Sequence, residues 1–109
     1  MNAMTLTTSS GAKIVNPNDE QIREALSALD VGRDDEGWAI LEQTEMDYIQ
    51  VSGDRTSSFA MEYQTSDTDR HYRAAREDFS LEQVVQAFAD YRDGKIDYSA
   101  YGDWSRITW

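Results

Sequence analysis

The chain has 109 residues, the size of one domain, and it contains no cysteine, which excludes disulfides, thiolate metal sites and a cysteine nucleophile. Twenty-one acidic residues outnumber ten basic ones, and the formal net charge of −11 argues against electrostatic binding to nucleic acid or anionic lipid and favours basic partners. Hydrophobic residues make up 39% of the chain, too many for a disordered acidic protein.

The first twelve residues are polar, small and aperiodic. Stretches rich in Thr, Ser and Gly bury little apolar surface, so we expect residues 1–12 to form a flexible N-terminal arm and residues 13–109 to form a single domain. No apolar run reaches transmembrane length and no signal-peptide pattern is present. We therefore expect a cytoplasmic protein.

The first helix is predicted directly after a short apolar segment. Residues 13–15 are compatible with either a short strand or an extended lead-in. Asn16 and Pro17 then have the residue types of a helix N-cap and a first helical residue. Four apolar residues follow at the i, i+3, i+4, i+7 spacing, namely Ile22, Ala25, Leu26 and Leu29. This spacing predicts a helix over residues 17–29.

From Trp38 onward the apolar period changes to two residues, which is typical of half-buried strands. Four segments have this pattern: residues 38–43, 48–52, 59–64 and 70–74. In the second segment Ile49 and Val51 share one face, and Tyr48 and Gln50 share the other. Polar turn residues separate the segments and predict antiparallel connections.

A second helix is predicted over residues 81–93. Ser80 and Gln83 have the spacing of a capping box, and Phe79 and Val84 stand at the positions of a hydrophobic staple. Gly94 supplies a C-terminal stop. The tail that follows is rich in aromatic residues, so we expect most of it to pack back on the sheet.

This order of elements predicts an α+β fold. We expect one antiparallel sheet of three to five strands, covered on one face by an N-terminal and a C-terminal helix. Edge strands in so short a sheet can also pair between chains, so both a monomer and a homodimer stay open.

Catalytic and metal-binding patterns are weak. His71 is the only histidine, and no nucleophile motif accompanies it, which favours a structural role. Glu42 and Glu62 lie on predicted neighbouring strands, but such a carboxylate pair is expected by chance in so acidic a chain. The run at residues 34–36 lacks the alternating spacing of a calcium loop. We predict no enzyme activity, no cofactor and no metal site.

The charge pattern is more informative. Ten acidic residues and two arginines lie between Asp19 and Asp47, a net charge of −8. One interpretation is a solvated acidic surface that keeps the protein soluble. The other is a surface that steers a cationic partner, typically a protein that itself binds nucleic acid.

A dispersed pattern between Lys13 and Trp104 carries a family resemblance. It consists of Ile14, Val15, Asn16 and Pro17, of Ile22, Ala25 and Leu26, of Ile40, Leu41 and Glu42, of residues 48–51 and 61–63, of His71 and Tyr72, of Ser80, Leu81, Glu82, Val84, Phe88 and Tyr91, and of Trp104. The chain resembles the small immunity proteins of bacterial polymorphic toxin systems, and it is most similar to the family encoded beside nucleic-acid deaminase toxins.

The resemblance implies a cytoplasmic antitoxin that binds a cognate toxin domain and blocks its active site or substrate groove. The alternative is a small acidic protein-interaction module with an unrelated regulatory role. A deaminase itself would need zinc ligands that the chain lacks. As an antitoxin, the chain would bind its partner through aromatic anchors and steering acids. The candidates are Trp38, Tyr48, Tyr101 and Trp104 as anchors, with core packing as the other interpretation, and Asp34, Asp35, Glu36 and Glu45 as acids.

Overall fold

In the part of the chain that the structure describes, seven antiparallel strands form one sheet and two α-helices pack against it. The structure, a computed structural model, describes residues 3–32 and 37–107. The strands are β1 (Thr5–Thr8), β2 (Lys13–Val15), β3 (Trp38–Thr44), β4 (Asp47–Asp54), β5 (Ser58–Gln64), β6 (His71–Ala74) and β7 (Trp104–Ile107), and the helices are α1 (Asp19–Ser27) and α2 (Leu81–Arg92). Their order in the sheet is β2-β1-β3-β4-β5-β6-β7. Short 3₁₀ turns occupy Thr68–Arg70 and Tyr98–Tyr101.

The fold predicted from the sequence is wrong in strand number and in the place of the helices. The sheet has seven strands instead of three to five. A β-hairpin precedes α1 and a strand follows α2, so the helices are not the terminal elements of the fold. The four segments predicted as strands correspond to β3, β4, β5 and β6, and the additional strands come from the two ends of the chain.

Part of the expected flexible arm is instead an ordered strand, because its residues Thr5–Thr8 form β1. Leu6 is opposite both Ile14 of β2 and Leu41 of β3, and its side chain is fully buried. The flanking threonines are β-branched and favour an extended backbone. One apolar side chain on the inner face is therefore enough to place this segment inside the sheet.

The helices begin at capping boxes. Ser80 and Gln83 cap α2 as predicted, and the helix runs from Leu81 to Arg92. The cap of α1 lies two residues later than predicted, at Asn18, whose side chain accepts from the backbone of Gln21. Asn16 has a positive φ of 52° and belongs to the turn after β2.

The core lies between the helices and one face of the sheet. Apolar side chains of the strands, such as Leu41 and Ile49, form one buried cluster with Ile22 and Leu26 of α1 and with Phe88 of α2. The helices are also joined at the surface: Arg23 of α1 binds Glu82 of α2, and Arg92 of α2 lies 2.6 Å from Asp19 of α1.

The aromatic C-terminal segment extends this core, as predicted. The ring of Tyr63 on β5 stacks on Tyr98 at a centroid distance of 3.5 Å, and Trp104 meets both rings edge-on. The indole nitrogen of Trp104 donates to the backbone oxygen of Tyr98 at 2.7 Å. The segment after α2 is thus fixed on the helix side of the sheet.

A buried carboxylate ties the segment after α1 to the β4–β5 turn. Asp54 is 5% exposed and accepts from the backbone N–H of Val31 at 2.9 Å. Its other oxygen accepts from the backbone and hydroxyl groups of Thr56 and Ser57. These donors, first among them the Val31 N–H, hold the pKa of Asp54 well below its ordinary value.

Candidate functional site

The candidate site is the face of the sheet that points away from the helices, which we call the uncovered face because no α-helix of residues 3–32 and 37–107 packs on it. Side chains alternate along a strand, so the neighbours of buried Leu41 and Ile49 point to this face. The register aligns them in two rows across five strands. One row is Thr5, Glu42, Tyr48, Gln64 and His71, and the other is Thr7, Ile40, Gln50, Glu62 and Arg73.

Four polar side chains of the uncovered face form one hydrogen-bonded cluster. His71 is 2% exposed and Gln64 is 3% exposed. The Nδ1 atom of His71 lies 3.1 Å from Gln64 Oε1, and its Nε2 atom lies 3.0 Å from Glu62 Oε1. The hydroxyl of Tyr48 lies 3.3 Å from both Gln64 Oε1 and His71 Nδ1. The amide nitrogen of Gln64 donates to the backbone oxygen of Met46 at 3.3 Å, which fixes the amide orientation.

The cluster holds the Tyr48 side chain in place on the uncovered face. Partial burial, with a smaller effect of the Glu62 carboxylate, raises the pKa of Tyr48 above its ordinary value. The phenol is therefore neutral at physiological pH. Its ring stays partly exposed while its hydroxyl is bound to the cluster.

Glu42 is the cross-strand neighbour of Tyr48. Such opposed side chains on one face have Cβ atoms about 5 Å apart. Among residues 3–32 and 37–107, the Glu42 carboxylate has no hydrogen bond or ion pair. A register shift between β3 and β4 follows it directly, between Glu42 and Thr44, and such bulges change the direction of neighbouring side chains.

The structure brings two of the predicted anchors to the uncovered face. Trp38 lies at the start of β3, opposite Ser52 of β4, and Tyr48 lies near the start of β4. Both side chains are partly exposed. Glu45 is exposed in the β3–β4 turn, four residues after Leu41.

The other predicted site residues lie elsewhere. Tyr101 is 9% exposed and packs edge-on against Phe79 at a centroid distance of 5.9 Å. Trp104 is partly buried on the helix side of the sheet. The interpretation of these two aromatics as core residues therefore agrees with their positions. Asp34, Asp35 and Glu36 lie outside the described residues.

The sequence did not predict that Gln64 joins a hydrogen-bonded cluster or that Glu42 lies opposite Tyr48. His71 was expected to be structural, and its burial agrees with that expectation. Glu42 and Glu62 are not on neighbouring strands, because β4 lies between β3 and β5. The alternation of side chains along each strand was the available signal for the cluster. It puts Tyr48, Gln64 and Glu62 on the same side of the sheet, but only once the strand register is known.

A concave surface lies between the helices, with a volume of about 520 Å³. Its acidic lining is partly neutralised within the protein. Arg92 lies 2.6 Å from Asp19 and 3.0 Å from Asp93, and Lys95 also lines the groove. This groove is a weaker candidate for binding a cation than the unpaired carboxylate of Glu42.

Residues 3–32 and 37–107 contain no group of three acidic or histidine side chains able to hold a metal ion. No helix in those ranges has the length and apolar character needed to cross a membrane. Comparisons with protein-family models, with curated proteins and with solved structures found no match.

Proposed function

We propose that this protein is a cytoplasmic immunity protein that binds and neutralises a cognate secreted toxin domain. The toxin acts on nucleic acid, as a deaminase does, and the protein blocks its active site or substrate groove. The observation that carries the proposal is the charge of the chain, a formal −11 in 109 residues. A toxin that holds a polyanion needs a basic surface, and an acidic protein of this size complements that surface.

The arrangement of the cations strengthens this argument. Five arginines of the described residues form ion pairs with carboxylates of the same chain: Arg23, Arg70, Arg73, Arg76 and Arg92. Their charge is therefore largely neutralised within the protein. The excess carboxylates therefore give the protein a negative electrostatic potential. Such a potential increases the rate of association with proteins of opposite charge.

The uncovered face supplies a surface of suitable composition. Tyrosine and tryptophan are enriched in protein interfaces and carry much of their binding free energy. Trp38 and Tyr48 both lie on this face, among polar side chains that can form hydrogen bonds at the edges of a contact. Both residues lie on strands of the sheet, and the Tyr48 hydroxyl is already hydrogen-bonded there, so little order has to be gained on binding.

The proposal is tested by capture followed by inhibition. The tagged protein is used as bait in lysate of its own host at low and at moderate salt, and the captured protein is identified by mass spectrometry. We expect the basic C-terminal domain of a large secreted protein, bound stoichiometrically. The purified toxin domain is then assayed on nucleic acid with and without the protein, and we expect loss of activity at a one-to-one ratio.

Two results would overturn the proposal. One is full toxin activity in the presence of a stoichiometric excess of the protein. The other is capture of a metabolic or regulatory protein instead of a toxin domain, which would favour the acidic interaction module. Bovine serum albumin, also an acidic protein, is the matched control for inhibition by charge alone.

A further inference from the structure

We propose that the uncovered face is the surface that receives the toxin, and that Glu42 and Tyr48 together bind an arginine side chain of that partner. This inference rests on the proposed function and adds to it the surface and the chemistry of the contact. Its starting point is one cross-strand pair, an unpaired carboxylate beside a fixed aromatic ring.

The pair has the two groups that a guanidinium binds best. A carboxylate accepts two parallel N–H bonds from arginine, and an aromatic face stacks on the guanidinium plane. Glu42 and Tyr48 are directly opposed in the β3–β4 register, so both point to the same face at neighbouring positions. The described residues leave the Glu42 carboxylate without a cation of its own.

The ring is held in place before any partner arrives. The Tyr48 hydroxyl is bound within the cluster of Gln64 and His71, both of which are almost fully buried. Glu62, the second carboxylate of the face, is bound through His71 Nε2. The cluster thus limits the loss of side-chain entropy on binding, which is the usual cost of an exposed aromatic contact.

Charge complementarity identifies the occupant as a basic protein segment. The middle of the face has the carboxylates of Glu42 and Glu62, while Arg73 at its side is 2.7 Å from Glu77 and is already paired. A nucleic acid or an anionic lipid surface would be repelled here. The helix groove is less suited to a cation, because Arg92 already lies against two of its carboxylates, Asp19 and Asp93, and Lys95 also lines it.

The test uses peptides of known chemistry. Hexa-arginine amide is titrated into the ¹⁵N-labelled protein at low salt, with hexa-lysine amide as the matched peptide, and backbone shifts are followed by NMR. We expect the largest shifts at β3, β4 and β5 around Glu42, and tighter binding of the arginine peptide. Glu42→Gln is expected to weaken that binding by roughly fivefold.

Two variants control for charge and for folding. Glu24→Gln makes the same change on the exposed surface of α1 and should leave arginine binding unchanged. Tyr48→Phe keeps the ring and removes the hydroxyl, whereas Tyr48→Thr removes the ring and keeps a β-branched strand residue. We expect Tyr48→Thr to weaken binding more than Tyr48→Phe, with all variants giving dispersed spectra.

The surface assignment is overturned if the shifts map to the helix groove, or if Glu24→Gln and Glu42→Gln weaken binding equally. It is also overturned if Tyr48→Thr abolishes a concentration-dependent dimer in sedimentation, because the face would then receive a second copy of the chain.

A toxin that binds wild type and Glu42→Gln with the same affinity would leave the immunity function standing and reject this surface. Specific arginine binding at Glu42, together with capture of a metabolic or regulatory protein in place of a toxin domain, would reject the immunity function and leave the arginine site standing.

Discussion

Leu6 lies directly opposite Leu41 in the β1–β3 pair, and neither side chain is exposed to solvent. Removing the Leu6 side chain would leave a cavity between β1 and the core, so Leu6→Ala should lower the free energy of unfolding by about 2–5 kcal/mol. Urea denaturation measures this change. Thr7→Ala, on the other face of the same strand, is the control and should cost less than about 1 kcal/mol. Equal midpoints for Leu6→Ala and wild type would show that β1 is not part of the folded core.

The sequence did not predict β1 because its segment contains one apolar residue. A period of two needs at least two buried positions to be recognised, and Thr8, the second inward residue of β1, is polar although it is only 3% exposed. Such a segment gains its stability from pairing with β3, which lies more than thirty residues away along the chain. Tertiary context of this kind is not readable from local pattern. The longer segments around Ile49 and Phe88 were predicted correctly, because each contains several apolar residues at the regular spacing of its element.

We expect Asp54 to make the stability of the protein sensitive to acid. The Val31 N–H and the hydroxyl groups beside it hold the pKa of Asp54 below 3.8 in the folded state. A lowered folded-state pKa means that this carboxylate contributes stability above its unfolded pKa, and that the contribution is lost as the pH falls toward the folded value. We expect Asp54→Asn to lower the melting temperature at pH 7 by several degrees and to lose less further stability than wild type below pH 4.

The comparison of wild type and Asp54→Asn by differential scanning calorimetry at pH 7, 4 and 3 checks this prediction. Asp97→Asn is the matched control, because Asp97 is an exposed carboxylate that caps a short 3₁₀ turn. Parallel stability curves for wild type and Asp54→Asn across this range would show that Asp54 is not the group that titrates.

His71 is expected to be a structural residue whose removal leaves its partners unsatisfied. His71→Ala takes the ring away from Gln64 and Glu62, whose oxygens lie 3.1 and 3.0 Å from it. Leaving one buried polar group without a partner costs about 1–3 kcal/mol, so we expect a destabilisation in that range. Guanidinium denaturation of His71→Ala measures it, with Arg106→Ala on β7 as an exposed control. A stability equal to that of wild type would mean that the cluster contributes little.

The capping box of α2 involves only neighbouring residues, so substitutions at its N-cap, Ser80, test its contribution to stability. Ser80 accepts from the Gln83 N–H at 3.2 Å, and the Gln83 amide accepts from the Ser80 N–H at 2.9 Å. We expect Ser80→Ala to cost about 1 kcal/mol, and Ser80→Asp to restore most of it because aspartate is an equally good N-cap. Thermal unfolding followed by circular dichroism checks both. A destabilised Ser80→Asp would indicate that the hydroxyl has a role beyond capping.

The candidate site was only partly predictable. The alternation of residues 48–52 placed Tyr48 and Gln50 on one face, but pattern alone does not pair that face with β5 and β6. The register supplies this information, because it sets Gln64 between Tyr48 and His71. Tyr101 and Trp104 were not separable from surface aromatics for a related reason: the 3₁₀ turn that brings Tyr98 and Tyr101 onto the sheet has no distinctive pattern of its own.

The charge argument makes a kinetic prediction for the acidic run at residues 34–36. Replacing Asp34, Asp35 and Glu36 with lysine changes the local charge from −3 to +3. The long-range electrostatic attraction between this protein and a basic toxin domain therefore becomes weaker. We expect slower association at low salt, a smaller difference at high salt because ions screen the field, and an unchanged melting temperature. Stopped-flow association with the purified toxin domain measures the rates. An association rate equal to that of wild type at low salt would show that this run does not steer the partner and that its acidity serves solubility.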